Sequence, residues 1–126
     1  MGNNNKEQTH VHEFTGSTLL AAPPNRLELL HSHRFAGVTG ESIPTGKSHV
    51  HLLETNTDFF VAHYHTMKVK TGEAIPVYAD GKEIGHIHGF TGTTSFDALH
   101  KHGFKGNTII ENPSGPLNSL TPQEEE

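Results

Sequence analysis

The chain has 126 residues, enough for one domain with a single modest core. Its composition, 32% hydrophobic with 7 Phe, 13 Gly, 7 Pro and no Trp, makes that core thin and favours strands and turns over long helices. A formal charge of -5 supplies no basic stripe and speaks against a nucleic-acid partner, while the absence of cysteine excludes disulfides, thiolate metal sites and cysteine nucleophiles.

Residues 1–9 read as a polar arm. The stretch MGNNNKEQ is neither a signal peptide nor a myristoylation signal, because Lys6 stands where Ser or Thr is needed. No apolar run is long enough to span a bilayer, so a cytoplasmic protein without a membrane partner is the default expectation.

From residue 10 the chain repeats itself. HVHEFTGST, HSHRFAGVT, HVHLLETNT, HYHTMKVKT, HIHGFTGTT and HKHGFKGNT align without a gap. Their His-x-His pairs are His10 and His12, His31 and His33, His49 and His51, His63 and His65, His86 and His88, His100 and His102, which uses every histidine of the chain. Counting the first histidine as offset zero, offset four is always large and apolar: Phe14, Phe35, Leu53, Met67, Phe90, Phe104. Offset eight is always threonine, and offset six is glycine except at Thr55 and Val69. Every recurring position is even, and in a strand the even positions share one face. The odd positions are mainly polar, so each repeat reads as a half-buried strand with its histidines facing inward. A helix places i and i+2 on different sides and is excluded.

Residues 58–62 and 95–99 join the third strand to the fourth and the fifth to the sixth, connections that suit antiparallel hairpins and are too short for a parallel crossover. The first two strands have the same relation with about seven extra residues around PPNRLEL; no helix longer than about two turns is expected, the 19–30 insertion around NRLELL being the place for an exception. GESIPTGKS and GEAIPVYADGKEIG read as connections between hairpins. The fold expected is all-β: three repeated antiparallel hairpins, six strands, forming a small pseudo-threefold barrel or prism, with a sandwich of the same strands as the alternative. The units are 10–48, 49–85 and 86–110, and residues 111–126 read as a flexible acidic tail.

In-register pairing predicts offset four opposite offset four, a six-residue apolar waist, with histidine at offset two opposite the glycine position and histidine at offset zero opposite threonine. Glycine then leaves room for an imidazole, and the threonine hydroxyl bonds to it. Histidines of odd strands gather at one end and those of even strands at the other.

Histidines at i and i+2 have Cα atoms about 6.5–7 Å apart on one face, so their imidazoles can converge on one ion. One pair is a weak signal; six in register are a strong one. Imidazole ligation suits Zn, Ni, Cu or Co rather than Ca or Mg. All twelve histidines are therefore candidate metal ligands. They group either as four per hairpin or as threes: His10/His49/His86, His12/His51/His88, His31/His63/His100 and His33/His65/His102. The bland alternative is a metal-free ladder of histidines bonded to threonine and backbone. It leaves many buried polar rings to satisfy, at about 1–3 kcal/mol for each group that fails.

No catalytic residue is expected. Glu54 in HVHLLETN comes closest to the cupin pattern, but the spacing is one residue short, the following glycine is missing, and an odd offset points outward. A cupin-like metalloenzyme is the enzymatic alternative. Asp58 and Asp97, in the hairpin loops, read as turn residues able to reach a strand end.

The repeats HVHEFTGST and HSHRFAGVTGESIP, with SHVHLLETNTDFF and TGEAIP, resemble the YmaF family of small histidine-rich proteins of spore-forming bacteria, over about residues 9 to 113. The resemblance implies no activity. It favours a spore or cell-surface structural role and keeps open self-assembly into a homo-oligomer or filament linked through metal or through the termini. The reading that follows is a transition-metal-binding protein with a structural or storage role.

Overall fold

A computed structural model describes residues 10–111. The expected polar arm at 1–9, and all of the expected tail except Glu111, lie outside the described residues. Among the described residues there is no α-helix, only a 3-10 turn at Leu27–Leu29 inside the insertion. Ten strands pair as five antiparallel hairpins. Three come from the repeats: β1 (Glu13–Ser17) with β2 (Arg34–Val38), β5 (Leu52–Asn56) with β6 (Thr66–Lys70), and β9 (Gly89–Thr93) with β10 (Gly103–Asn107).

The other two pair residues of the expected connections with the starts of the third and fifth repeats: β3 (Ile43–Pro44) with β4 (His49–Val50), and β7 (Ile75–Ala79) with β8 (Lys82–Ile87). The second is closed by Asp80-Gly81, whose φ values of 53° and 77° are those of the primed turn that matches strand twist.

No continuous ladder joins one hairpin to the next, so no closed barrel forms among the described residues. The three repeat hairpins instead meet at paired anchor points. Gly40 N–H bonds Leu52 O and Asp58 N–H bonds Arg34 O between the first and second; Gly72 to Gly89 and Ser95 to Thr66 join the second and third; Leu19 to Gly103 and Ile109 to Glu13 join the third and first. Two-stranded ribbons twist strongly, which carries their edges apart between such points.

The register within each repeat hairpin differs from the expected one by two residues. Phe14 faces Gly37 and Gly16 faces Phe35, so offset four lies opposite offset six rather than opposite itself. An even slip keeps every inward residue inward, which is why the face assignment survives it. The reason is steric. A Cβ on Gly37 would lie 2.7 Å from Phe14 Cζ, and one on Gly106 2.9 Å from Phe90 Cζ. The glycines make room for phenyl rings, not for imidazoles. In the middle hairpin Leu53 faces Val69 and Met67 faces Thr55, and these non-aromatic side chains leave space for the partner's Cβ.

Phe14, Phe35, Leu53, Met67, Phe90 and Phe104 form the buried core expected from the repeat, with Val69 packed against it. Phenyl rings of different hairpins meet there, Phe14 and Phe90 at 6.1 Å and Phe35 and Phe104 at 6.2 Å between centroids. Glu54 is exposed, as an odd position should be, and faces Lys68 in the ladder.

Candidate metal centres

The core layer separates the histidines into two groups of six. His10, His12, His49, His51, His86 and His88 gather at one end; His31, His33, His63, His65, His100 and His102 gather at the other. Odd and even strands separate as their order requires. The two pairs of any one hairpin go to opposite groups, so four histidines of a hairpin never meet. The expected threes do meet, but as two layers of one cluster: His10/His49/His86 outside and His12/His51/His88 inside.

Each inner histidine is held by a repeated local device. Its backbone N–H donates to the hydroxyl of the threonine opposite, at 3.0 Å: His12 to Thr39, His33 to Thr18, His51 to Thr71, His65 to Thr57, His88 to Thr108, His102 to Thr94. The threonines thus anchor histidine backbone rather than bonding imidazoles, which follows from the two-residue change of register. The hydroxyls of Thr18, Thr39, Thr57, Thr71 and Thr94, each just past the end of its strand, donate onward to the carbonyl of the residue that follows.

That next carbonyl also accepts an imidazole Nδ1–H from a neighbouring hairpin. His51 bonds Gly40 O at 2.8 Å, His88 bonds Gly72 O at 2.8 Å, and His102 bonds Leu19 O at 2.8 Å. His12 bonds Ile109 O at 3.0 Å, His65 bonds Ser95 O at 3.0 Å, and His33 bonds Asp58 O at 3.1 Å. Three outer rings turn their Nδ1–H to loop carbonyls two residues back: His31 to Leu29, His63 to Val61, His100 to Ala98. His86 Nδ1 lies 3.0 Å from a Glu111 carboxylate oxygen.

A neutral imidazole has one N–H. Where Nδ1 carries it, Nε2 presents a bare lone pair, and the second partner fixes which nitrogen is free to ligate. At the second cluster all six rings are set this way. Their Nε2 atoms nevertheless crowd together: His31 to His33 at 3.1 Å, His33 to His63 at 3.1 Å, His63 to His100 at 3.2 Å, His65 to His100 at 3.2 Å. No proton stands between those atoms, so they repel. Nε2 of His51, His88 and His102 is buried without any partner.

The arrangement within each group is that of an octahedron. Edge-on ring contacts at about 5 Å link His10 to His12, His49, His51 and His86, leaving only His88 apart. By the same contacts His12 is opposite His49 and His51 is opposite His86. In the second cluster the opposite pairs are His31/His65, His33/His100 and His63/His102. Six vertices that touch all but one opposite member define that solid, and in each group the ligating atoms all lie within 4.8 Å of one another.

Burial lowers the imidazole pKa at both ends, to about 4 for His51 and His102. It is the leading cause for His10, His33, His49, His65, His86, His88 and His100 as well, with neighbouring histidines adding to the effect. The rings are thereby held in the neutral form that can ligate a cation. Carboxylates stand behind three of them. Asp58 Oδ1 is 3.1 Å from His33 Nδ1, Asp97 Oδ2 is 3.5 Å from His65 Nδ1, and Glu111 accepts from both the ring and the backbone N–H of His86. Burial works to raise the Glu111 carboxyl, but the His86 and Glu111 backbone N–H groups and the nearby imidazoles outweigh it and hold the pKa below the usual value.

Asp58 and Asp97 therefore do more than make turns. Glu111, assigned from sequence to the tail, reaches the first cluster because Gly85 lets Ile110 approach, a Cβ there lying 2.6 Å from Ile110 Cδ1. The supporting carbonyls of Leu19, Gly40, Asp58, Gly72, Ser95 and Ile109 share no side-chain type, so composition carried no signal for them. The signal was positional, since each directly follows a repeat threonine.

No helix among the described residues is long and apolar enough to cross a membrane. No curated protein and no solved structure matches the chain. The YmaF family model, described as spore germination protein GerY/YamF, matches residues 7–110, a span that contains all six repeats, and the chain belongs to the YmaF family.

Proposed function

We propose that this is a transition-metal-binding protein in which two hexahistidine centres hold late first-row divalent ions in a structural or storage role. The observation that carries the reading is the set of buried Nε2 lone pairs without partners at His51, His88 and His102, each on a ring whose Nδ1–H is already committed to a carbonyl. An unpaired buried polar atom costs about 1–3 kcal/mol, and a cation at the centre of each group removes that cost for all the rings facing it. A metal-free ladder lacks this economy, because its rings would face one another with no proton to share.

In this reading the ions staple the three repeat hairpins into a pseudo-threefold prism, each hairpin giving one His-x-His pair to each end. Six protein nitrogens complete the coordination sphere, leaving no position for water or substrate, which a Lewis-acid enzyme needs. A role without catalysis follows. The exposed, outward Glu54 argues in the same direction against a cupin-like site. The family description, spore germination protein GerY/YamF, supports a spore-associated role, in which a small metal-stapled protein serves as a durable structural part or an ion store.

A second reading, self-assembly into a homo-oligomer or filament, is favoured by the apolar tips of the hairpins. Leu27, Phe59, Phe96 and Leu99 are 65–75% exposed, all in loops at the end that carries the second cluster. A second copy is the occupant this predicts. Elemental analysis of tag-free protein tests the main reading: about two ions per chain are expected after loading and dialysis, and only trace metal after zinc or nickel loading would remove it.

A further inference from the structure

The spacing of the nitrogens says which ions belong in these clusters. In the first cluster the Nε2 atoms of His10, His49 and His86 are 2.9–3.1 Å apart, and His12 to His86 is 3.2 Å. In the second cluster the Nε2 atoms of His31, His33 and His63 are 3.1–3.2 Å apart, and that of His100 is 3.2 Å from those of His63 and His65. The edge of a regular octahedron is the square root of two times its centre-to-vertex distance. Edges of 2.9–3.2 Å therefore place a centre about 2.1–2.3 Å from the nitrogens they join, within the reach of a metal–imidazole bond, and all six ligating atoms of each group lie within 4.8 Å of one another. A tetrahedral zinc site with bonds of about 2.0–2.1 Å needs nitrogens about 3.3–3.4 Å apart and takes four of them, not six.

Resting on the metal-binding reading above, we infer that each histidine cluster is a six-coordinate octahedral centre selective for iron(II), cobalt(II) or nickel(II) over zinc(II). Further features beyond spacing support this. The Nδ1–H bonds to carbonyls across the hairpin boundaries orient the inner rings before any ion arrives, so the sixfold arrangement is a property of the scaffold. Two ligands come from each of three hairpins at either end, so discarding two imidazoles to make a tetrahedral site would strand two buried lone pairs. Imidazole donors suit iron and nickel, and a hard-ion site for magnesium or calcium would need oxygen.

Tag-free full-length protein loaded with cobalt(II) gives a direct readout. The expected result is about two ions per chain, the weak visible absorption of six-coordinate cobalt, and an X-ray absorption spectrum fitted by six nitrogens near 2.1–2.3 Å. In competition at equal free concentrations, zinc should displace less than half of the cobalt, reversing the usual preference of four-coordinate sites for zinc. Bound cobalt with intense four-coordinate bands, or displacement of more than half of it by zinc, overturns the octahedral assignment while leaving metal binding intact. No cobalt, nickel or zinc bound at all overturns metal binding itself. His51→Ala provides the control, with one nitrogen fewer in the fitted shell of the first cluster. If that variant fails to fold, the wild-type spectrum and competition decide alone.

Discussion

Nδ1 of His51 donates to the carbonyl oxygen of Gly40 across the boundary between the first two repeat hairpins, at 2.8 Å, while the Gly40 N–H donates back to Leu52 O beside that histidine. The contact that orients the candidate ligand is thus also a contact that joins the hairpins. Metal release and hairpin separation are expected to be coupled. A chelator at neutral pH should lower the melting temperature, and metal should restore it. Hydrogen exchange should quicken at the boundary amides of Gly40, Asp58, Gly72, Ser95, Leu19 and Ile109. Identical melting and exchange with and without chelator, in protein known to have contained metal, would contradict the coupling.

The metal-free protein should weaken in acid. Burial puts His51 and His102 at about 4 when folded, against 6.5 in an exposed chain. Between those values the unfolded chain binds more protons than the folded one, so stability is full above about pH 6.5 and falls as the pH drops toward about 4. The other histidines lowered by burial act with the same sign. Bound metal competes with protons for the same nitrogens, so loaded protein should hold its melting temperature to lower pH than chelated protein. Calorimetry at stepped pH measures both curves.

The pairing of Phe90 with Gly106 is a packing unit that can be exchanged. Phe90→Ala should cost about 3–5 kcal/mol through the cavity it leaves. Gly106→Val should cost about 1–3 kcal/mol by driving a side chain into the ring. The double variant Phe90→Leu with Gly106→Val recreates the Leu53 and Val69 pair of the middle hairpin. Measured against Phe90→Leu and Gly106→Val taken singly, it should be more stable than the sum of their effects by at least about 0.5 kcal/mol in denaturant unfolding. Simple additivity would show that the two residues do not share one space.

Glu111 backs only the first cluster. Glu111→Gln should weaken metal binding there about 10–100-fold and leave the second cluster unchanged, giving a biphasic titration. Asp58→Asn should weaken the second cluster instead. Titration of both variants by calorimetry separates the two centres, and a uniform loss at both ends would count against the assignment.

Val61 and Ala62 sit at φ 56° and 63° in the hairpin loop that delivers His63, and Ala98 and Leu99 at 53° and 66° in the loop that delivers His100. Left-handed backbone costs an L-residue about 1–2 kcal/mol, most for a branched one. Replacing Val61-Ala62 with Asn-Gly should therefore raise stability by about 1 kcal/mol or more in denaturant unfolding. Because Phe59 remains exposed, any self-association through the tips should persist, which light scattering over a range of concentrations would record.

The sequence alone determined the strand faces and the core layer, which depend only on the parity of positions along a strand, and the repeat hairpins and the sorting of histidines between two ends, which follow from short connections that reverse the strand direction. An inward residue stays inward whatever its neighbour's register. Which inward residues face each other was not legible, since a slip of two residues preserves parity. The tertiary structure settled it by laying phenyl rings over Gly16, Gly37, Gly92 and Gly106, which moved the threonines onto histidine backbone. Likewise, threes and fours of histidines were the natural groupings along a chain. Only the meeting of three hairpins put two threes close enough to share one centre. The carbonyls that orient the rings left no mark in residue type, because any residue has a carbonyl, and their role exists only where one hairpin's edge meets another's.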